Sequence, residues 1–343
     1  MRNHEAQTRT VSLVDLPLVY RLADDGMVLD SEIAYTRSPN GPYGASISNI
    51  ILPQRNVHTL ISRCDRDGVV GQFRLKSDDQ LARVITIAPS LPDESADDTM
   101  WLRALDAMAA SAGKRGAHML SAEIDEQSPL FTAMRRAGFA VYARQEIWRR
   151  EPEQPFPEQV TPATLSQEAD SDAMDIQLLY SNIVPRLVQP IAVPSSDSDG
   201  FVYRQEHRVQ GYIAVSEGKY GIYLMPFLHP DILFSEASAI IAGAIASTAK
   251  AEKLPVYVCV RRYQDWLEDG LTVLGFRPIS QQAVMVRHIA AGVRHAVFAP
   301  VARPLEVIPS PVHPPTSRVG EMTDFIGIEA GVSNKLNGTT DNG

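Results

Sequence analysis

Two cysteines in 343 residues, Cys64 and Cys259, leave no material for a disulfide framework or a thiolate metal site. A secreted chain of this length usually carries more, so the expected setting is a reducing, cytoplasmic one. Long apolar runs are missing as well. The longest, around Ala237 to Ala249, is broken by Ser and Thr, is too short to span a bilayer and reads as a buried helix. Met1-Arg2-Asn3-His4-Glu5 leads into no signal core. There is no extended Lys/Arg run, and the formal net charge is −9. An acidic surface repels phosphate backbones, so neither nucleic acid nor an anionic membrane is expected as a partner. The eight histidines form no HExxH or clustered ligand set, and no Gly-x-Ser-x-Gly elbow or Walker loop occurs. Metal chemistry, α/β-hydrolase chemistry and nucleotide hydrolysis are therefore not expected.

What remains is the composition of a soluble globular protein, 44% hydrophobic and 21% charged, in a chain long enough for two domains and a tail. Pro152, Pro155, Pro157 and Pro162 stand among Glu and Gln, a stretch that suits neither a helix interior nor a central strand. Prolines return after Ala291, and the chain ends in Asn-Gly-Thr-Thr-Asp-Asn-Gly. The organisation expected is a first domain over 1–150, a linker over 151–162, a second domain over 163–290 and a disordered tail over 291–343.

The two blocks share a grammar. In the first, strands Val57–Cys64, Val69–Leu75 and Ala82–Ala88 precede Pro89 and a helix over Thr99–Ala112. A strand (Ala117–Ile124), a short helix (Pro129–Ala137), Gly138-Phe139 and a strand (Val141–Trp148) complete it. In the second, strands Val209–Val215 and Tyr220–Met225 precede Pro226 and a helix over Ser235–Lys250. A strand (Pro255–Val260), a helix (Gln264–Leu274), Gly275-Phe276 and a strand (Ser280–Val286) follow. Pro226, Gly275, Gln282 and Arg287 each lie 137 positions after Pro89, Gly138, Gln145 and Arg150, which points to a gapless internal repeat over this portion.

Strand, strand, long helix, strand, short helix, Gly-Phe, strand resembles the core of the GNAT (Gcn5-related N-acetyltransferase) superfamily. Leu130–Phe139 is similar to that family's Leu-Tyr-x-x-x-Gly-Phe signature, and Leu267–Phe276 resembles it again. The resemblance implies an α/β fold of two tandem GNAT-like domains, each a mixed, mostly antiparallel sheet flanked by helices. It implies acyl-CoA, acetyl-CoA among others, inserted where two strands splay, with its pyrophosphate on the N-terminus of the long helix. It implies acyl transfer to a small-molecule amine, without a metal, and two domains that pack on each other.

The residues depart from that family's pattern at the site. The phosphate loop should be glycine-rich; Ala88–Asp98 holds no glycine, two prolines and four carboxylates, which suit a capped helix better than a phosphate. Met225–Glu236 is also glycine-free. Here Leu224, Met225, His229 and Ser235 are the candidate cofactor contacts. The tyrosine four residues before Gly-Phe is Met134 in one block and Leu271 in the other, so Tyr142 and Tyr223 are the candidate substitutes. Glu123 is the candidate base, with Asp125 beside it, and Glu206 and His207 are comparable in the second block. Two functions follow: an acyltransferase with one active half, or a non-catalytic tandem kept as a binding or scaffolding module.

Overall fold

The computed structural model describes residues 7–43, 55–64, 67–77, 79–194, 199–206 and 208–289. The tail expected over 291–343 lies outside the described residues, as does His207.

The first block opens with β1 (Gln7–Thr10), α1 (Leu16–Ala23), β2 (Met27–Val28) and α2 (Ser31–Arg37), followed by β3 (Val57–Cys64), β4 (Asp67–Arg74) and β5 (Leu81–Ala88). The long helix α3 (Thr99–Lys114), β6 (Met119–Asp125), α4 (Pro129–Arg136) and β7 (Ala140–Arg150) complete it. The second block runs β8 (Ser166–Gln167), α5 (Ala173–Ile183), β9 (Asp199–Gln205), β10 (Arg208–Glu217), β11 (Ile222–Leu228), α6 (Phe234–Ala246), β12 (Val256–Arg261), α7 (Glu268–Val273) and β13 (Arg277–His288). The helices α1, α2 and α5 precede any motif in their blocks and are not among the elements read from the sequence. Among the described residues no helix is long and apolar enough to cross a membrane.

Local chemistry explains the elements that frame the site. In α3, Leu105, Met108, Ala109 and Ala112 recur three and four residues apart and bury one stripe against β3 and β4. Each fully buried Leu or Met contributes roughly 1.5–3 kcal/mol. β12 reads Val-Tyr-Val-Cys-Val-Arg and is buried on both faces, as a near-continuous apolar run requires. The two Gly-Phe pairs end α4 and α7 identically. Gly138 and Gly275 take φ +85° and +82°, and the N–H of Phe139 and Phe276 donates back to Met134 O (3.0 Å) and Leu271 O (2.9 Å). This is the Schellman closure, which glycine enters without a Cβ penalty.

Among the described residues all strands join one sheet of 13, in the order β1-β3-β4-β5-β6-β13-β7-β12-β11-β10-β9-β8, with β2 paired to β5 off this path. The centre of that order is an exchange. β7, from the first block, lies between β13 and β12 and pairs antiparallel with both; β13, from the second, lies between β6 and β7. Each block's last strand thus completes the other block's sheet. The linker segment packs down too: Arg150 Nε donates to Leu274 O (3.0 Å), and its guanidinium stacks 4.7 Å from the Phe156 ring.

The 137-residue repeat is real for β6 and β12 and for β7 and β13, whose bounds differ by that offset at their starts. It fails one strand earlier. β5 meets β6 with Leu81 beside Met119, whereas β11 meets β12 with Ile222 beside Val256, so the matching strand positions are 141 apart. Pro226 does not end its strand as Pro89 follows β5; it sits inside β11, opposite Ile213 of β10. Ile222 donates its N–H to Pro255 O on the β12 side, so by alternation Pro226 faces that side as well. The β11–β12 pairing stops at Leu224 and Val258, and a proline is tolerated where no neighbouring strand needs its N–H.

Candidate functional site

In each block the two parallel strands pair over three residues and then separate. The gap between them is where the fold could admit a ligand, because main-chain groups of the separated strands face it.

In the first block that gap is filled by the chain itself. Met27 and Val28 pair with Ile87 and Thr86, Leu29 donates its N–H to Ile85 O (2.7 Å), and Glu123 donates its N–H to Leu29 O (2.8 Å). Residues 27–29 are thereby an inserted strand bonded on both sides. The start of α3 is also occupied by its own acids. Asp93 accepts from Ser95 N–H (2.8 Å) and hydroxyl (2.5 Å), and Asp97 from Thr99 N–H (3.0 Å) and hydroxyl (2.5 Å). Those bonds hold both carboxylates below their usual pKa range. Asp98 pairs with Arg136 at 2.6 Å. A pyrophosphate placed here would meet charge of its own sign.

In the second block no main chain among the described residues bonds into the gap; a side chain spans it. In the amide orientation that satisfies both of its groups, buried Gln264 donates to Pro226 O (3.1 Å) and accepts from Leu228 N–H (3.1 Å). These are the groups on β11 left without a strand partner beyond Leu224. The candidate contacts Leu224 and Met225 offer no main-chain group to the gap: Leu224 is in register with Val258 of β12, and Met225 alternates toward β10. His229 turns to its own loop, 3.4 Å from Asp231, and Ser235 is exposed at the start of α6. The first turn of that helix is closed by Glu236, which accepts from Leu233 N–H at 3.3 Å.

Beside the closed end of this gap lies a buried polar cluster contributed by both blocks. Glu123 accepts from Ser31 N–H (2.9 Å) and faces Arg261 Nη2 at 3.5 Å. Burial alone would push the Glu123 carboxyl up, but Arg261, Ser31 and Arg83 outweigh it and keep the carboxylate charged. Glu123 is therefore held in an ion pair inside the molecule, not at a solvated strand end. Tyr223 is 2% exposed and neighbours Cys259, with burial as the first cause that raises its pKa well above the phenol range. Burial likewise pushes the Cys259 thiol up to about 11, so it is no nucleophile at neutral pH. Tyr142 is elsewhere, hydrogen-bonded to His288 at the far end of β7 and β13. The structure thus brings Glu123 and Tyr223 into one cluster and leaves Tyr142 out of it. Met134 and Leu271 are fully buried under their helices.

Arg261, Gln264 and Ser31 were not singled out in the sequence. Arg261 had a signal: a charge closing an otherwise apolar strand is rarely buried without a reason. A second concavity, about 620 Å³, lies across the central strands, lined by Asp125, Glu126, Arg144, Glu146, Arg262 and Glu268 among others. Among the described residues no group of His, Cys, Asp and Glu is arranged to hold a metal.

No family model matches this chain, and no curated protein matches it. Solved structures do. The chain is similar to a GCN5-related N-acetyltransferase from Sphaerobacter thermophilus at TM-score 0.53 and 11% identity, covering 82% of this chain and 95% of that one. A tandem GNAT protein from the clavulanic acid biosynthesis pathway aligns at TM-score 0.48 and 16% identity, over 83% of this chain and 99% of that one. The Sphaerobacter likeness agrees with the element order, the separated parallel strands and the duplicated Gly-Phe closure described above: the chain has the GCN5-related N-acetyltransferase fold, built in tandem into a single sheet.

Proposed function

We propose that this protein is an acyl-CoA-dependent N-acyltransferase acting on a small-molecule amine, with the second block catalytic and the first block structural. One observation carries the assignment to the second block. The first gap is closed by main chain bonded to both strands, whereas the second is bridged, among the described residues, by the Gln264 side chain. A strand cannot leave its sheet without breaking the ladder; a side-chain amide can rotate away and give its two partners to a ligand. The pantetheine arm of acyl-CoA carries amides of the same kind, able to accept from Leu228 N–H and donate to Pro226 O.

Neither helix start offers a glycine loop, so affinity for acyl-CoA rests on the arm and the acyl end more than on the pyrophosphate. Tyr223, the sequence candidate beside the closed end of the gap, is held neutral by burial and serves as a hydrogen-bond donor, not as a base. The acidic surface and the two free cysteines favour a small amine in a reducing cytoplasm over nucleic acid or membrane partners. Calorimetric titration of acetyl-CoA into the full chain is the test, run beside a free-thiol assay over an amine panel. Micromolar binding that strengthens in Gln264→Ala, with thiol release for at least one amine, is expected. Absence of both binding and thiol release would leave a non-catalytic scaffold as the better account.

A further inference from the structure

Arg261 is 3% exposed, and its Nη2 approaches Glu123 at 3.5 Å while its guanidinium also neighbours the Cys259 sulfur. Its Nε and Nη1 have no hydrogen-bond partner, nor has the buried hydroxyl of Tyr223. Tyr263, two residues further along the chain and electrostatically coupled to Arg261, also leaves its hydroxyl unpartnered. Buried donors are almost always satisfied in native proteins, and a cluster of them that is not asks for an acceptor from outside the chain. Strand alternation fixes where that acceptor would sit. Tyr257, Cys259 and Arg261 follow one another on one face of β12, and Tyr223 is in register with Tyr257 on β11, so the donors on these two strands share one sheet face where the second gap opens. Gln264, which spans that gap, is the residue after Tyr263. Cys259 lies within the cluster, but sulfur is a weak acceptor and does not replace an oxygen.

We infer that the end of this gap is a carboxylate-binding site, to which Arg261 Nη1 and the Tyr223 and Tyr263 hydroxyls donate together. A guanidinium N–H gives a carboxylate a charge-assisted hydrogen bond, and phenols supply further donors without adding a competing charge. The site deepens the acyltransferase proposal and rests on it only for the source of the carboxylate. That source is either the acceptor, which would then be an amino acid, or the acyl group, which would then be a dicarboxylic monothioester. Entry is through the gap, with Gln264 swung aside.

The test uses the full chain and pairs of probes that differ only in the carboxylate: free amino acids against their amides, and succinyl-CoA against acetyl-CoA. Binding is read by calorimetry and by thermal shift. One member of a pair should bind about tenfold more tightly than its partner, and which pair does so identifies the source. Tyr223→Phe and Tyr263→Phe should each erase most of that preference while leaving the ligand-free protein nearly as stable as the parent, because each removes a hydroxyl that has no oxygen or nitrogen partner. Arg261→Lys should also lose the preference, since a single ammonium cannot hold Glu123 and reach the ligand with separate, fixed N–H groups as the guanidinium does. Equal binding within both pairs, or no binding of any probe at millimolar concentration, overturns the carboxylate site. So does a clear loss of ligand-free stability in both Phe variants, which would show the donors to be satisfied by buried water. Carboxylate preference among amino acids without thiol release would keep this site and reject acyl transfer. Thiol release from acetyl-CoA with no carboxylate preference would do the reverse.

Discussion

Gln145 and Gln282, which occupy the same place in the two blocks, lie directly opposite each other on β7 and β13, with Gln145 Nε2 donating to Gln282 Oε1 at 2.8 Å. Equivalent residues that face each other across antiparallel strands mark a local two-fold axis through the middle of the sheet. The pair is not symmetric in its surroundings. Ser31 of α2 donates its hydroxyl to Gln282 Oε1 (2.7 Å) and accepts from Gln145 Nε2 (3.3 Å), so one helix of the first block breaks the symmetry at the axis.

Removing either amide leaves buried groups without partners. Gln282→Leu strands the Ser31 hydroxyl and the Gln145 amide and should cost about 1–3 kcal/mol in urea unfolding. Gln145→Leu should cost a similar amount, while the double variant should cost clearly less than the two together, because neither amide then awaits the other. Strict additivity would show that the two side chains do not interact.

The exchanged strands predict that the blocks do not exist apart. Residues 1–155 alone would carry β7 without β12 and β13, and residues 160–343 alone would carry β13 without β6 and β7. Each would expose a long unpaired strand edge, which drives aggregation. Expressed singly, both pieces should be insoluble or unfolded by circular dichroism; co-expressed, they should copurify as one particle. Two soluble, independently folded monomers would rule out the exchange.

What the sequence disclosed and what it hid divide along one physical line. The Gly-Phe closures, the long helix and the spacing of β6, α4 and β7 against their counterparts are set by local chemistry, and they read out directly. The exchange, the insertion of residues 27–29 and the pairing of Glu123 with Arg261 depend on contacts between residues far apart in the chain, which no periodicity reports. Pro226 shows the trap. Proline ends most strands because the ladder needs its N–H, but beside a gap that need vanishes, and the strand runs on to Leu228. Glu123, the candidate base, gives no sign in the sequence of the ion pair that holds it, because its partner lies 138 residues away in the other block.

Acid should weaken the molecule through two matching corners. Asp15 accepts both prongs of Arg9, at 2.5 and 2.6 Å, and Asp172 pairs with Arg204 at the corresponding turn before α5. Hydrogen bonds from these arginines are the first cause that lowers both carboxyls below the usual aspartate range. A lowered folded pKa stabilises above the unfolded value, about 4, and that contribution is lost as pH falls toward the folded value. Melting temperature should therefore hold from neutrality to about pH 5 and decline below about pH 4. Asp172→Asn should start lower at neutrality and decline less steeply in acid. A parallel acid limb in the variant would show that this pair does not contribute to it.

The sharpest contrast between the blocks should appear in amide exchange. The Leu29 N–H is bonded to Ile85 O within an inserted strand, and the Glu123 N–H returns to Leu29 O, so both should exchange only when the sheet itself opens. The Leu228 N–H is held by the Gln264 side chain alone, and rotation of that side chain frees it without unfolding anything else. In the ligand-free protein Leu228 should exchange orders of magnitude faster than Leu29. Saturating acetyl-CoA should slow Leu228 and leave Leu29 and Glu123 as they were, because the ligand takes the place of a side chain in one gap and has no room in the other. Protection that arises at residues 27–29 would mean that the inserted strand is displaced by ligand, and the catalytic assignment would move to the first block. Equal, slow exchange at Leu29 and Leu228 without ligand would mean that Gln264 closes its gap as firmly as a strand does, and the difference on which the second block was chosen would disappear.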